Sequence, residues 1–208
     1  MGEKDEIWSE RANKFGRRCV MNLGYGADAF EAETYRQQEI LFPVICRELT
    51  APPRLLLDFG CGYGRLTRSL ALATKAARTL GYDACAELIA LAPDDRDAGV
   101  EYVSGSANEF LERWSGTFDL VWIHQVLGGI ADEQLPELTA LLISSLREGG
   151  LLCVVENTVP NDPVNTFWRN RKARDYESLF AAHGLPITTT HTYPDEFEAE
   201  ITAFVGRK

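Results

Sequence analysis

The sequence predicts an α/β fold: a doubly wound, mostly parallel sheet with helices on both faces and an antiparallel hairpin at its C-terminal edge. Three observations carry this expectation. Short apolar runs alternate with helical stretches from Leu55 onward, the strand-like runs are apolar on both faces, and a glycine-rich turn joins the first run to the next helix. Strands apolar on both faces and interleaved with helices belong to a parallel sheet covered on each side.

The elements follow in order. A helix is expected over about 4–18, then a turn at Gly24-Tyr25-Gly26, then a helix over about 31–49 whose apolar residues Ile40, Leu41, Val44, Ile45 and Leu49 recur at helical spacing. Trp8 and Phe15, seven apart, share one face of the first helix. Pro52-Pro53 closes this preface, so 1–52 is read as a helical lid and 53–208 as one compact unit. The expected strands are Leu55–Phe59, Thr79–Tyr82, Val100–Val103, Phe118–Ile123 and Leu151–Val155. Between the last two, a helix is expected from Glu133 to Leu146. Asp132 is its cap, Leu135, Leu138, Leu142 and Leu146 form its stripe, and Gly149-Gly150 end it. A helix at Tyr176–His183 precedes a hairpin of Ile187–Thr192 and Ala199–Val205, joined through Tyr193-Pro194-Asp195.

Composition narrows the function classes. The 208 residues are 45% hydrophobic and 25% charged, the profile of a folded chain without low complexity. With 21 Lys+Arg against 31 Asp+Glu, the charge of −10 repels phosphate backbones and anionic lipid, so neither nucleic acid nor membrane is the expected partner. Five scattered cysteines without a C-x-x-C pair, and three histidines without ligand spacing, point away from a disulfide framework or a metal site. The acidic MGEKDEIWSE start lacks the apolar core of a signal peptide, and a reduced, cytoplasmic setting is expected.

The chemistry concentrates in Leu55-Leu56-Leu57-Asp58-Phe59-Gly60-Cys61-Gly62-Tyr63-Gly64-Arg65. A buried strand ends at an acid, and three alternating glycines let the backbone approach a ligand. The spacing is G-x-G-x-G. The dinucleotide fingerprint is G-x-G-x-x-G, and an acid directly before the loop repels a pyrophosphate but suits an ammonium or sulfonium ligand. That disfavours a nicotinamide-dependent oxidoreductase. A second acid, Asp83, closes the next strand in register, where a carboxylate accepts both hydroxyls of a ribose.

At these residues the chain resembles the class I S-adenosylmethionine-dependent methyltransferases, whose fold is Rossmann-like. Asp58 to Gly64 matches their first motif and Gly81-Tyr82-Asp83-Ala84 their second. Phe118-Asp119 opening a hydrophobic strand matches the fourth, and Arg147-Glu148-Gly149-Gly150-Leu151 the fifth. The third motif departs, because Ser106 stands where the family carries an acid near the adenine. The resemblance implies S-adenosyl-L-methionine as cofactor, contacted by Asp58, Gly60, Cys61, Gly62, Asp83, Ala84, Ser106, Ala107, Asn108, His124 and Gln125. Beside the loop, Cys61 is read as filling space.

His124 and Glu156 are the candidate bases, since both stand at carboxyl ends of strands. Candidate acceptor contacts are Trp8, Tyr25, Asn157 and Arg169, the last within the cationic run Trp168-Arg169-Asn170-Arg171-Lys172-Ala173-Arg174. That run reads either as a solvated helix start or as an anion-binding lid. Trp122-Ile123, Gly128-Gly129-Ile130-Ala131-Asp132, Glu156-Asn157 and Arg174-Asp175 also look similar to protein α-N-terminal methyltransferases. Gly129 replaces that group's histidine, however, and Arg169 falls where it carries an aspartate. The expected function is in-line methyl transfer to oxygen or nitrogen of a small metabolite, an anionic one among those that fit. A protein amino terminus and a non-catalytic cofactor-binding scaffold are the alternatives.

Overall fold

Hydrophobic runs and helical stretches become seven strands and seven α-helices in a computed structural model, which describes residues 3–20, 26–161, 168–195 and 199–208. The strands are parallel where helices alternate with them and antiparallel at the C-terminal end, the Rossmann-like α/β arrangement. The chain divides into two units, Met1–Ser106 and Ala107–Lys208.

In the first unit, α1 (Glu3–Phe15) and a 3-10 turn (Gly16–Val20) precede α2 (Ala27–Glu48). Strands β1 (Leu55–Phe59), β2 (Arg78–Asp83) and β3 (Val100–Ser104) run parallel, with α3 (Thr67–Thr74) and α4 (Ala86–Ile89) on the connections. Register pairs Leu57 with Leu80 and Leu80 with Glu101, so the ends of β1 and β2, carrying Asp58 and Asp83, lie at one edge. α1 stops sooner than expected because Gly16 takes φ +57°. Trp8 packs on a small core of Ala12, Cys19, Cys85 and Leu88, whereas Phe15, at the helix end, is exposed with the Lys14 ammonium over its ring. Phe15 therefore does not continue the Trp8 face into the core. α2 begins four residues before the expected start and buries Leu41, Val44 and Ile45. Gly24 and Tyr25 lie outside the described residues.

In the second unit, α5 (Ala107–Arg113) leads to β4 (Phe118–His124), and α6 (Leu135–Ser145) to β5 (Leu146–Asn157), parallel to β4. After α7 (Ala173–Ala182), β6 (Ile187–Pro194) and β7 (Glu200–Arg207) pair antiparallel, and β7 joins β5 antiparallel. β6 extends through Tyr193-Pro194, into the expected turn, and Asp195 closes the hairpin by bonding Ala199 through both backbone and carboxylate.

The α6 expectation needs two corrections. Asp132 does not cap the helix; Gln134 precedes it without a side-chain cap, and Asp132 is taken by two arginines instead. Gly149-Gly150 do not end it either. β5 starts at Leu146, and the two glycines sit in an irregularity of that strand between the pairs Phe118–Leu146 and Leu120–Leu151. Gly149 takes φ +73°, and a Cβ on Gly150 would meet the carbonyl oxygens of Phe118 and Arg147 at 2.9 Å. The leucine stripe itself is buried at all four positions.

Candidate active site

In the first unit the site grows from the end of β1. Asp58 is buried, and its Oδ2 accepts a hydrogen bond from Thr67 Oγ1 at 2.6 Å. Burial pushes its carboxyl up to about 7, against the pull of Thr67 and Arg65. The N–H groups of Gly60 and Cys61 both donate to Tyr82 O, at 2.7 and 2.9 Å, so the glycine turn is hung from the end of β2. Gly60, Gly62 and Gly64 take φ of +75°, +61° and +85°, conformations that other residues enter at a cost.

Asp83, half-buried at the end of β2, ties two loops together. Its Oδ2 accepts from Gly62 N–H at 2.8 Å and its Oδ1 from Cys85 N–H at 2.9 Å. The N-terminal turn lies against the same loop. Val20 occupies the space a Cβ on Gly62 would need, and Arg17 stands over the Tyr63 ring while donating twice to Leu91 O. Trp8, expected at the acceptor, instead anchors α1 on Cys85 and Leu88. Cys61 is buried and its thiol is held well above its ordinary range by burial, which keeps it protonated and fits a space-filling role. Ala84 and Ser106 are exposed.

Sequence reasoning missed Tyr102. Its ring packs where a Cβ on Gly64 or Gly81 would stand, at 2.5 and 2.7 Å, and its hydroxyl donates to the buried Asp95 at 2.7 Å. The paired glycines thus admit an aromatic wedge beneath the loop. Gly81 within a strand was the available signal.

The second unit brings together another set. His124 ends β4 and stacks on Trp122, with ring centroids 6.1 Å apart. Gln125 takes the left-handed φ of +52° and donates its N–H to Val155 O at 2.8 Å. Glu156 is buried, and its Oε1 accepts from the N–H groups of Val126 and Leu127 at 2.8 and 2.6 Å. Burial pushes that carboxyl up to about 7, while the backbone donors and Arg171 pull it down. Glu156 therefore anchors the 3-10 turn Leu127–Gly129. Asn157 Oδ1 accepts from Val159 N–H at 3.0 Å, Ala107 is half-buried, and Asn108 is exposed and donates to Glu137 at 3.1 Å.

The cationic run lies on that turn. Trp168 covers Gly128 and Gly129, where a Cβ on Gly128 would meet its indole at 2.4 Å, and Arg169 N–H donates to Gly128 O. Arg169 pairs with Asp132 at the surface. Arg171, missed by sequence reasoning, is the buried member: it donates to Leu127 O at 2.8 Å, Ile130 O at 2.7 Å and Asp132 Oδ1 at 2.8 Å.

The two buried acids make stability fall with pH. Each holds a proton in the folded chain that an unfolded carboxylate releases near pH 4. Their contribution is complete below that pH and is lost as pH rises to about 7. Glu156→Gln, which keeps an oxygen for both N–H donors, is expected to flatten the decline in unfolding free energy between pH 5 and pH 7.5. Urea titration at the two pH values reads this directly, and an unchanged decline would contradict it.

An acid-ended first strand, a three-glycine loop and an acid-ended second strand, on a Rossmann-like α/β core, are features shared with the class I S-adenosylmethionine-dependent methyltransferases. Residues 56–150 match the family described as a methyltransferase domain. It is 34% identical over 103 residues to a trans-aconitate 2-methyltransferase of Deinococcus radiodurans, across 50% of this chain and 38% of that protein. It is 32% identical over 127 residues to alpha N-terminal protein methyltransferase 1 of Drosophila melanogaster, across 55% of this chain and 43% of that one. The matched segments thus span less than half of either relative. In fold it resembles magnesium protoporphyrin IX methyltransferase of Synechocystis PCC 6803, solved with bound S-adenosylhomocysteine. There the TM-score is 0.76 at 16% identity, over 99% of this chain and 100% of that one. It also resembles 1,6-didemethyltoxoflavin-N1-methyltransferase of Burkholderia thailandensis. That comparison gives a TM-score of 0.70 at 16% identity, over 100% of this chain and 91% of that one.

The residues of the first unit fit the cofactor of that family. Asp83 presents a fixed carboxylate, Gly60 and Gly62 keep the loop free of side chains, and a Cβ on Gly105 would meet nothing within 4 Å. Among the described residues no group of three or more His, Cys, Asp or Glu could hold a metal, and no helix is long and apolar enough to cross a membrane.

Proposed function

We propose that the chain transfers the methyl group of S-adenosylmethionine to an oxygen or nitrogen of a small, anionic metabolite. The observation that carries the reading is the Asp83 carboxylate, fixed beside the glycine loop by the Gly62 and Cys85 N–H groups. A carboxylate in that position accepts ribose hydroxyls. The bound cofactor supplies a methyl group already activated on a sulfonium, so the S–C bond breaks as the new O–C or N–C bond forms. The chain then has mainly to align the partners and exclude water. A base is needed only for a hydroxyl or a protonated amine. Glu156 is closed off from solvent and holds the Leu127–Gly129 turn through Oε1, whereas His124 is half-buried at the end of β4, which makes it the candidate.

Support for a small acceptor comes from fold neighbours named for magnesium protoporphyrin IX and a toxoflavin precursor, and from the relative named for trans-aconitate. The formal charge of −10 disfavours nucleic acid. A protein amino terminus is the second reading, favoured by the Drosophila relative. Against it stand Gly129, which lies under Trp168 and offers no imidazole, and Arg169, which stands where that group carries an aspartate. Incubation with methyl-labelled S-adenosylmethionine separates the two. Label on small polycarboxylates, trans-aconitate first, is expected; label only on peptides with a free amino terminus would overturn the small-acceptor reading.

A further inference from the structure

The buried stripe of α2 contains two residues that do not belong in an apolar core. Glu33 and Gln37 are 3% and 5% exposed, on the face that continues through Leu41, Val44 and Ile45. Gln37 Nε2 donates to Glu33 Oε1 at 3.0 Å, and Arg36 Nη1 donates to both carboxylate oxygens at 3.3 and 3.1 Å. Because Glu33 can only accept, the Gln37 amide has one possible orientation, with its carbonyl turned away from the acid. That carbonyl oxygen is closed off from water and meets no donor among the described residues. A leucine, such as the one a turn later at 41, would fill the position without that desolvation penalty.

The same turn of helix is bound to the cofactor loop. Thr34, beside Glu33, accepts from Nη1 of Arg65 at 3.1 Å, and Arg65 directly follows Gly64. An aligned acceptor backed by a carboxylate, on a helix tied to the glycine loop, suits an aliphatic ammonium. We infer that Gln37, aimed by Glu33, accepts a hydrogen bond from the ammonium of the cofactor's amino-acid arm, with Glu33 as its positioning residue. This rests on the cofactor assignment made above, and it gives α2 a part in cofactor recognition in addition to packing.

The test compares three probes by calorimetry: S-adenosylhomocysteine, its deaminated analogue, and 5′-methylthioadenosine, which lacks the whole arm. The wild-type chain should prefer S-adenosylhomocysteine to the deaminated analogue. In Gln37→Met that preference should shrink about tenfold or more, with 5′-methylthioadenosine binding unchanged and the thermal midpoint unchanged or raised. Glu33→Gln, which keeps the shape but frees the amide to flip, should shrink it partially, and it provides the readout if Gln37→Met does not fold. An equal change for all three probes, or an unchanged preference in both variants, would overturn the inference and leave Gln37 a structural residue. Failure of the wild-type chain to bind S-adenosylhomocysteine would overturn the cofactor assignment itself, and this inference with it.

Discussion

Arg171→Met is expected to cost about 3 kcal/mol of stability, while Arg169→Ala costs less than about 1 kcal/mol. Both arginines pair with Asp132, so a count of ion pairs treats them alike. Burial separates them. The Arg169 side chain is 67% exposed and its pair is screened by water, whereas Arg171 is 9% exposed. Removing the Arg171 guanidinium strands the carbonyl of Ile130, takes one of two donors from that of Leu127, and leaves Asp132 with one surface partner. Arg171 is also first among the influences that hold the Asp132 carboxyl below its usual range, so the stability of this pair is present above about pH 4 and lost as pH falls below it. Urea unfolding at pH 7 reads both variants, as a lowered midpoint at unchanged slope. Equal, small losses would show that Arg171 is not what holds residues 168–171 on the Leu127–Gly129 turn.

Asp83→Ala is expected to weaken S-adenosylhomocysteine binding by about a hundredfold or more while leaving the fold intact. Two losses combine. The ligand loses the carboxylate offered to its ribose, and the Gly62 and Cys85 N–H groups lose the acceptor that sets the shape of both loops. Asp83→Asn keeps one acceptor oxygen and should fall between the two. Most of the stability should survive, because Asp83 is half-buried and the loop keeps its bonds from Gly60 and Cys61 to Tyr82 O.

Much of this architecture was legible in the chain, for reasons that differ by element. β1 matches its expected bounds because four of its five residues are buried and prolines and glycines mark both ends. The two acids and the glycine loop were legible because strand, turn and helix fix their spacing, whatever lies elsewhere. Asp132 misled, since an acid before a leucine-rich helix reads as a cap. Its real partners, Arg169 and Arg171, lie 37 and 39 residues away, and periodicity carries no such information. Gly149-Gly150 misled for a similar reason: a helix terminus and a strand irregularity both call for glycine, and only the pairing with β4 decides. Tyr102, Arg171 and Gln37 were missed because each acts through a partner distant in sequence or through a turn of helix that looks merely amphipathic. Glycines hinted only at the first case, since Gly64 and Gly81 admit Tyr102, much as Gly128 and Gly129 admit Trp168.

The central claim is that the Asp83-fixed glycine loop binds S-adenosylmethionine, and calorimetric titration of wild-type and Asp83→Ala chains with S-adenosylhomocysteine and NADH tests it most directly. The account predicts micromolar binding of S-adenosylhomocysteine to the wild-type chain, its loss in the variant, and no binding of NADH. A folded wild-type chain that ignores S-adenosylhomocysteine, or that binds NADH in its place, would contradict it.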